Sequence, residues 1–286
     1  MNIRQFLELI RVPSLAATVV PLLAGASLAI ETGHFNTILW SVMFVAALFL
    51  QIGTNVFNEH GDFVNNTDRK ASHGFAGIIV KGEATPGEVL AIAVVFYAMA
   101  GILAIPLILY RGFIILILGL IAAIVGIIYS EGPYPISMTP LGEVMVGLTM
   151  GLIEVSGSEI AACGHLTNGV YLISVPISLL VANVLNGNNI RDIIKDREAG
   201  RKTIAVLIGS KWAKALSISI IAFCYFWVFI VFRYTTRIHV FIVFITLPFT
   251  IWLLSILFKR GWKYGVEISS VIYLIYGIFL SIGLIA

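Results

Sequence analysis

Val184-Leu185-Asn186-Gly187-Asn188-Asn189-Ile190-Arg191-Asp192-Ile193-Ile194-Lys195-Asp196 closes an apolar run that begins near residue 169. The run is long enough to cross hydrocarbon as a helix, and its acidic residues arrive where it should meet water. The same arrangement stands 130 residues earlier, where Asn58-Glu59-His60-Gly61-Asp62-Phe63-Val64-Asn65-Asn66 follows the apolar run 37–57. Both copies read N-x-x-x-D-x-x-x-[DN]. Residues four apart share one helical face, so each copy presents a column of oxygen ligands. Carboxylates at the edge of hydrocarbon are costly unless their charge is offset. Two facing columns suit Mg2+, a hard cation that takes a few carboxylates and shares its other positions with phosphate oxygens. The expectation is an intramembrane diphosphate site.

Outward from these two stretches, the chain reads as an all-α polytopic membrane protein. Spans of roughly 17–25 residues are what a bilayer core demands, and nine can be marked: 13–31, 37–57, 87–107, 112–130, 141–161, 169–190, 212–232, 238–258 and 265–285. They are expected to form a single bundle, one domain over 1–286. Composition agrees: 59% of residues are hydrophobic and 12% charged, and mean hydropathy is +1.00. A soluble domain carries about twice that charged fraction. A net charge of +3 gives no reason to expect a nucleic-acid partner. Cys163 and Cys224 stand alone in or near apolar runs, with no metal-ligand spacing, and read as small buried residues. The N-terminus lacks the cleavage pattern of a signal peptide, so its first apolar segment is expected to be retained as a span.

Orientation follows from lysine and arginine. With the N-terminus in the cytoplasm, inside segments hold 15 basic residues and outside ones only Arg111, Arg233 and Arg237, which accounts for all 18. Both acidic motifs then face the cytoplasm. The inside connections at about 58–86 and 187–211 are long and polar, each opening with an acidic motif and continuing with basic residues. Connections of that length in a compact domain are usually functional or disordered, and their charge argues for function. A third inside loop, Ser130-Glu131-Gly132-Pro133-Tyr134-Pro135-Ile136-Ser137, has the composition of a fixed turn. The repeated motif also suggests two related halves with the site between them.

Within motif one, Asn55, Glu59 and Asp62 fall at i, i+4 and i+7, while Asn58, Asp62 and Asn66 form the adjoining column; Asp68 follows in the loop. A polar helix end meeting headgroups is the plainer alternative, and the repeat counts against it. In motif two, Asn188, Asp192 and Asp196 are four apart, with Asn189 beside them and Arg191, Lys195, Arg197, Arg201 and Lys202 around them. Helical ion pairing explains this column poorly. Asp196 has no basic residue three or four positions away, and its neighbour at four is the like-charged Asp192. A shared cation explains it better, and the basic residues suit the outer oxygens of a diphosphate. Lys81 is a further phosphate candidate, equally at home as a topological charge. Tyr129 and Tyr134, flanking the glycine-proline loop, could line a pocket or stabilise a cation, though interfacial tyrosines are common in membrane proteins. Glu154 and Glu159 are acids in the fifth span or at its outer end, and an acid at such depth is a functional candidate by default. His60 reads as a hydrogen-bonding neighbour, because Mg2+ prefers oxygen.

At these residues the chain resembles the UbiA-type superfamily of intramembrane prenyltransferases. Asn58-Glu59-x-x-Asp62, with Asp68 downstream, corresponds to that family's first motif, N-D-x-x-D, and Asp192-x-x-x-Asp196 to its second, D-x-x-x-D. Asn188 to Asp196 with Gly200-Arg201-Lys202-Thr203, Gly132-Pro133-Tyr134-Pro135 and Arg11-Val12-Pro13-Ser14-Leu15 resemble the 1,4-dihydroxy-2-naphthoate branch in particular. Glu59 stands where the family usually has aspartate, Lys81 where many branch members have arginine, and Glu154 to Glu159 is unlike the branch. The resemblance implies a polyprenyl diphosphate entering from the bilayer and bound through Mg2+ by Asn58, Glu59, Asp62, Asp192 and Asp196. Arg191, Arg197, Arg201, Lys202 and Lys81 would be phosphate partners. Tyr129, Tyr134 and Glu154 are expected at the acceptor or cation pocket, and Asn55, Asp68, Asn188 and Asn189 beside the ligands. The implied acceptor is dihydroxynaphthoate, losing CO2 in forming demethylmenaquinone. Acceptors of the 4-hydroxybenzoate, haem or glycerol phosphate type would use the same motifs. A secondary transporter with an anion site is the alternative from another class, disfavoured because the long charged loops lie on one side.

Overall fold

Hydrocarbon offers no partner to backbone N–H and C=O groups, so long apolar runs close their hydrogen bonds internally as helices. The fold is that of a computed structural model, in which residues 1–65 and 77–286 are described; among them there is no strand. Among the described residues, eight helical segments are long and apolar enough to cross a membrane: Val12–Glu31, Thr37–Val64, Pro86–Arg111, Gly142–Cys163, Gly169–Arg191, Ile204–Thr235, Ile238–Arg260 and Trp262–Ile285. The fourth expected span, 112–130, is the shorter helix Phe113–Ile128, set off from its predecessor by Gly112 at φ 83°.

The short N-terminal helix α1 (Ile3–Leu9) precedes α2 (Ala16–Glu31), α3 (Thr37–Val64), α4 (Pro86–Arg111) and α5 (Phe113–Ile128). The fifth long segment is composite: α6 (Gly142–Val146), a π-helical stretch Gly147–Ile153 and α7 (Glu154–Cys163). Then come α8 (Gly169–Arg191), α9 (Ile193–Glu198), α10 (Ile204–Thr235), α11 (Leu247–Arg260) and α12 (Gly265–Ile285). The main core joins α2, α8, α10 and α12 through side chains such as Ile177, Leu180, Tyr276 and Leu280. A second core, around Leu9, Val56, Ile78 and Val89, closes the opposite flank. Small residues let backbones approach: Gly187 of α8 meets Gly265 of α12, and Gly25 of α2 meets Val155 and Ser158 of α7. Close packing of this kind binds helices where lipid removes the hydrophobic drive between them.

Two expectations are corrected. The connection 187–211 is not a long loop: α8 continues to Arg191 and α9 covers Ile193–Glu198, leaving only 199–203 between helices. The connection expected at 58–86 likewise begins later, because α3 continues seven residues past its expected end at 57 and carries the first motif at the helical spacing read for it. In both places the polar turns keep their internal hydrogen bonds outside the apolar run, so the helix has no reason to stop at its edge.

Candidate active site

The helices α3, α4, α5, α6–α7 and α8 surround a cavity of about 610 Å³. On α3 its lining runs from Met43 to Asp62, about 28 Å of helix at 1.5 Å per residue. One end is polar, with Arg11, Asn58, Asp62, Asn188, Asn189 and Arg201. Most of the remainder is apolar, including Leu107, Ile108, Ile115 and Leu118 of α4 and α5.

The polar end joins the two motifs. Arg201 Nη2 donates to Asp62 Oδ1 at 2.7 Å, and Arg201 Nη1 stands 3.7 Å from Asp196 Oδ1. Gly200, at φ 76°, turns the chain back after α9, and Arg201 N–H bonds Asp196 O. Lys202 N–H bonds Met138 O, tying this turn to the segment after α5. Asp196 is buried, and its Oδ2 has no hydrogen-bond partner. Burial raises its carboxyl to about 6; Asp192, Asp62 and Glu143 push the same way and Arg201 opposes them. Burial also holds the Tyr129 phenol above its ordinary value, reinforced by Glu143. Tyr129, which lines the cavity, is therefore a hydroxyl donor at neutral pH.

The remaining residues divide. Asn58 lines the cavity and its Oδ1 accepts from Ser130 Oγ at 2.6 Å. Asn188 Oδ1 accepts from Arg191 Nη2 at 2.6 Å, and the same guanidinium grips Asp192. Asp192 sits where α8 gives way to α9 (φ −100°, ψ 11°), so the expected column bends at its middle member. Asn189 lines the cavity and donates to buried Glu143 at 2.8 Å. Glu154 lines the cavity further down.

Others stand away from it. Glu59 is 1% exposed, and its carboxylate accepts from Gly77 N and Ile79 N, with Arg11 at 3.9 Å. It orders the segment after the first motif, where a metal ligand was expected. Asn55 donates to Ile10 O and Ser14 Oγ, fastening α3 to the start of the chain. Tyr134 is 91% exposed, on a loop that turns it outward, and does not line the cavity. Lys81, Arg197 and Lys202 are exposed and stand off the lining; Arg191, Asp192 and Asp196 are off it too, Asp196 meeting it through Arg201. Asp68 lies outside the described residues. His60 Nδ1 pairs with Glu131 Oε1 at 2.6 Å.

Three contributors were not singled out from sequence. Arg11 lines the polar end with left-handed backbone, φ 52°, a conformation costly for a side chain and concentrated at functional sites. Ser130 anchors Asn58, and Glu143 anchors Asn189. Glu143 carried a signal as an acid at the start of an apolar span, and Arg11 and Ser130 stood in stretches already marked, without a role of their own.

Among the described residues no group of three His, Cys, Asp or Glu side chains is gathered as a metal cage. Mg2+ does not require one, since it binds through one or two carboxylates together with substrate phosphates. The oxygen-only donors here, with an unpartnered buried Asp196 oxygen, fit that mode.

The UbiA prenyltransferase family model matches residues 18–280. The 1,4-dihydroxy-2-naphthoate octaprenyltransferase of Bacillus subtilis (strain 168) is 35% identical over 242 residues, covering 84% of this chain and 78% of that one. The protein of the same description from Escherichia coli (strain K12) is 32% identical over 212 residues, 71% and 68% of the two chains. A UbiA homolog from Archaeoglobus fulgidus, solved bound to DMAPP and Mg2+, has a TM-score of 0.71 over 97% of this chain and 99% of that chain. Its identity of 17% carries the fold alone.

Proposed function

The chain belongs to the UbiA prenyltransferase family, and from that membership we propose that it transfers a polyprenyl group from its diphosphate to 1,4-dihydroxy-2-naphthoate, releasing diphosphate and CO2. The observation that carries this reading is Arg201 spanning Asp62 and Asp196 at the polar end of a long apolar cavity. A polyprenyl diphosphate has that same division, a charged head and a hydrocarbon tail. The dihydroxynaphthoate acceptor follows from the relatives at 35% and 32% identity.

Asp62, Asp192 and Asp196, with the Asn58 amide, would hold Mg2+, and when bound it would offset charge on the leaving diphosphate. Arg201 binds diphosphate oxygens directly, and Arg11 stands beside it at the same end of the cavity. As the allylic C–O bond breaks, its electron pair leaves with the diphosphate. The ring carbon that bears the carboxylate supplies the pair for the new C–C bond. Departure of the ring carboxylate as CO2 restores aromaticity, giving the reduced form of demethylmenaquinone. The apolar walls exclude water, which would otherwise capture the allylic cation. The polar end faces the cytoplasm, from which the acceptor arrives and to which diphosphate is released, while the prenyl donor enters from the bilayer.

Purified protein with labelled polyprenyl diphosphate and a panel of acceptors tests this. Prenylated naphthalene product and CO2 should form with Mg2+ and cease with a chelator. Transfer only to a hydroxybenzoate, haem or glycerol phosphate acceptor would overturn the acceptor. No diphosphate release with any acceptor would overturn the reaction class.

A further inference from the structure

Glu154 begins α7 where the π-helical stretch ends. π-Helical turns recur at functional sites, and an acid inside a span marks one by default. The carboxyl lies within reach of Thr18 of α2, and Glu154 Oε2 and Thr18 Oγ1 are both buried without a hydrogen-bond partner. Thr18 does not line the cavity, so what the α2–α7 side offers there is the Glu154 carboxyl. The α4–α5 part of the lining is apolar, with Leu107, Ile108, Ile115 and Leu118. Gly101 and Gly119 on that wall have open space beside their Cα atoms.

The depth of Glu154 can be read from contacts. Asn55 of α3 bonds Ser14. Asp62 lies seven residues toward the polar end from Asn55, and Thr18 four residues the other way from Ser14. These eleven residues of helix place the Glu154 carboxyl about 16 Å below Asp62. A diphosphate, its reacting carbon and one bicyclic ring fill such a distance. A hydrocarbon tail laid against Glu154 would leave the carboxyl unpaired, whereas the α4–α5 wall asks nothing polar of it.

We propose that the two substrates divide the cavity by polarity. The aromatic acceptor takes the α2–α7 side with a ring hydroxyl hydrogen-bonded to Glu154, and the prenyl tail takes the α4–α5 side. The inference rests on the prenyl-transfer reading above and specifies how that site recognises its acceptor. A site built to bond a hydroxyl rejects the analogue lacking it far more strongly than an apolar pocket can.

The test is binding, because removing a ring hydroxyl also slows ring attack. Equilibrium dialysis compares 1,4-dihydroxy-2-naphthoate with 1-hydroxy-2-naphthoate on wild type, Glu154→Met, Glu154→Gln and Gly119→Leu. Wild type should prefer the dihydroxy acid tenfold or more. Glu154→Met should erase that preference, Glu154→Gln should keep most of it, and neither should alter prenyl chain-length preference. Gly119→Leu should shift the donor preference to shorter chains and leave acceptor binding intact. An undiminished preference in Glu154→Met, or altered chain-length preference in that variant, overturns the proposal. Should Glu154→Met fail to fold in detergent, Glu154→Ala reads the same difference. If wild type binds no naphthoate, the acceptor assignment fails instead, and 4-hydroxybenzoate against benzoate then decides Glu154 by the same criterion.

Discussion

Arg201 does at residue scale what neither motif does alone: one planar guanidinium reaches both carboxylates. Lysine carries the charge but not the fork, so Arg201→Lys should lower kcat/KM for prenyl diphosphate at least tenfold while leaving unfolding temperature in detergent nearly unchanged. Asp62→Ala or Asp196→Ala should cost roughly a hundredfold or more in turnover, the scale of a lost transition-state stabiliser. Near-normal rates with unchanged Mg2+ dependence in Asp196→Asn would remove it from the ligand set. Asp196 also sets a pH signature. Its carboxyl is raised by burial to about 6, above its ordinary 3.8, so the folded protein binds more protons than the unfolded chain between those values. That contribution to stability is fully present below about 3.8 and is lost as pH rises through about 6. Asp196→Asn should therefore gain unfolding temperature relative to wild type across that interval. Metal binding needs the ionised form, so at limiting Mg2+ the rate should fall as pH drops through about 6, and saturating Mg2+ should move that limb to lower pH.

Among the elements, the end of α3 shows what sequence could and could not reveal. Spacing offered two adjoining columns, Asn55-Glu59-Asp62 and Asn58-Asp62-Asn66. Only neighbours decide between them, and those neighbours are remote in the chain. Asn55 and Glu59 turn toward Ile10, Ser14 and the 77–79 segment, while Asn58 and Asp62 turn to the cavity. The apolar runs and the residue types of both motifs were legible because periodicity and hydrocarbon thickness fix them locally. The direction of Glu59, the outward turn of Tyr134 and the roles of Ser130 and Glu143 were not, since each depends on tertiary contact. Ser130 is the clamp: it bonds Asn58 and Asn65, and its carbonyl leaves no room for a Cβ at Gly61. Gly61→Ala must push α3 off that carbonyl, at about 1–3 kcal/mol, and displace Asn58 and Asp62 with it. Both unfolding temperature and kcat/KM should drop. Gly87→Ala, with open space around it on α4, should leave both near wild type.

Across the whole molecule, two of the three basic residues at the end away from the motifs, Arg111 and Arg237, have structural roles. Arg111 donates to Ala161 O and Ala162 O at the end of α7. Arg237 donates to Leu284 O at the end of α12 and pairs with Glu31. Cations at helix C-termini satisfy orphan carbonyls and oppose the negative end of the dipole, so these two are held by the fold and say little about which side is cytoplasmic. The other end holds most of the remaining lysines and arginines, and by the positive-inside rule it should face the cytoplasm. With the nine apolar helices among the described residues crossing in turn, the termini should lie on opposite sides. With Cys163 and Cys224 replaced by serine, single cysteines at exposed Glu83 and Glu198 should react with an impermeant maleimide only in inverted vesicles. A cysteine at exposed His165, between α7 and α8, should react only in right-side-out ones. Glu83 and Glu198 follow different motifs, so reaction of the two from opposite faces would break the common polar end on which Asp62, Asp196 and Arg201 depend. Reaction of both from the outer face would keep that end intact and invert the molecule, so that the charged acceptor would have to arrive from outside the cell.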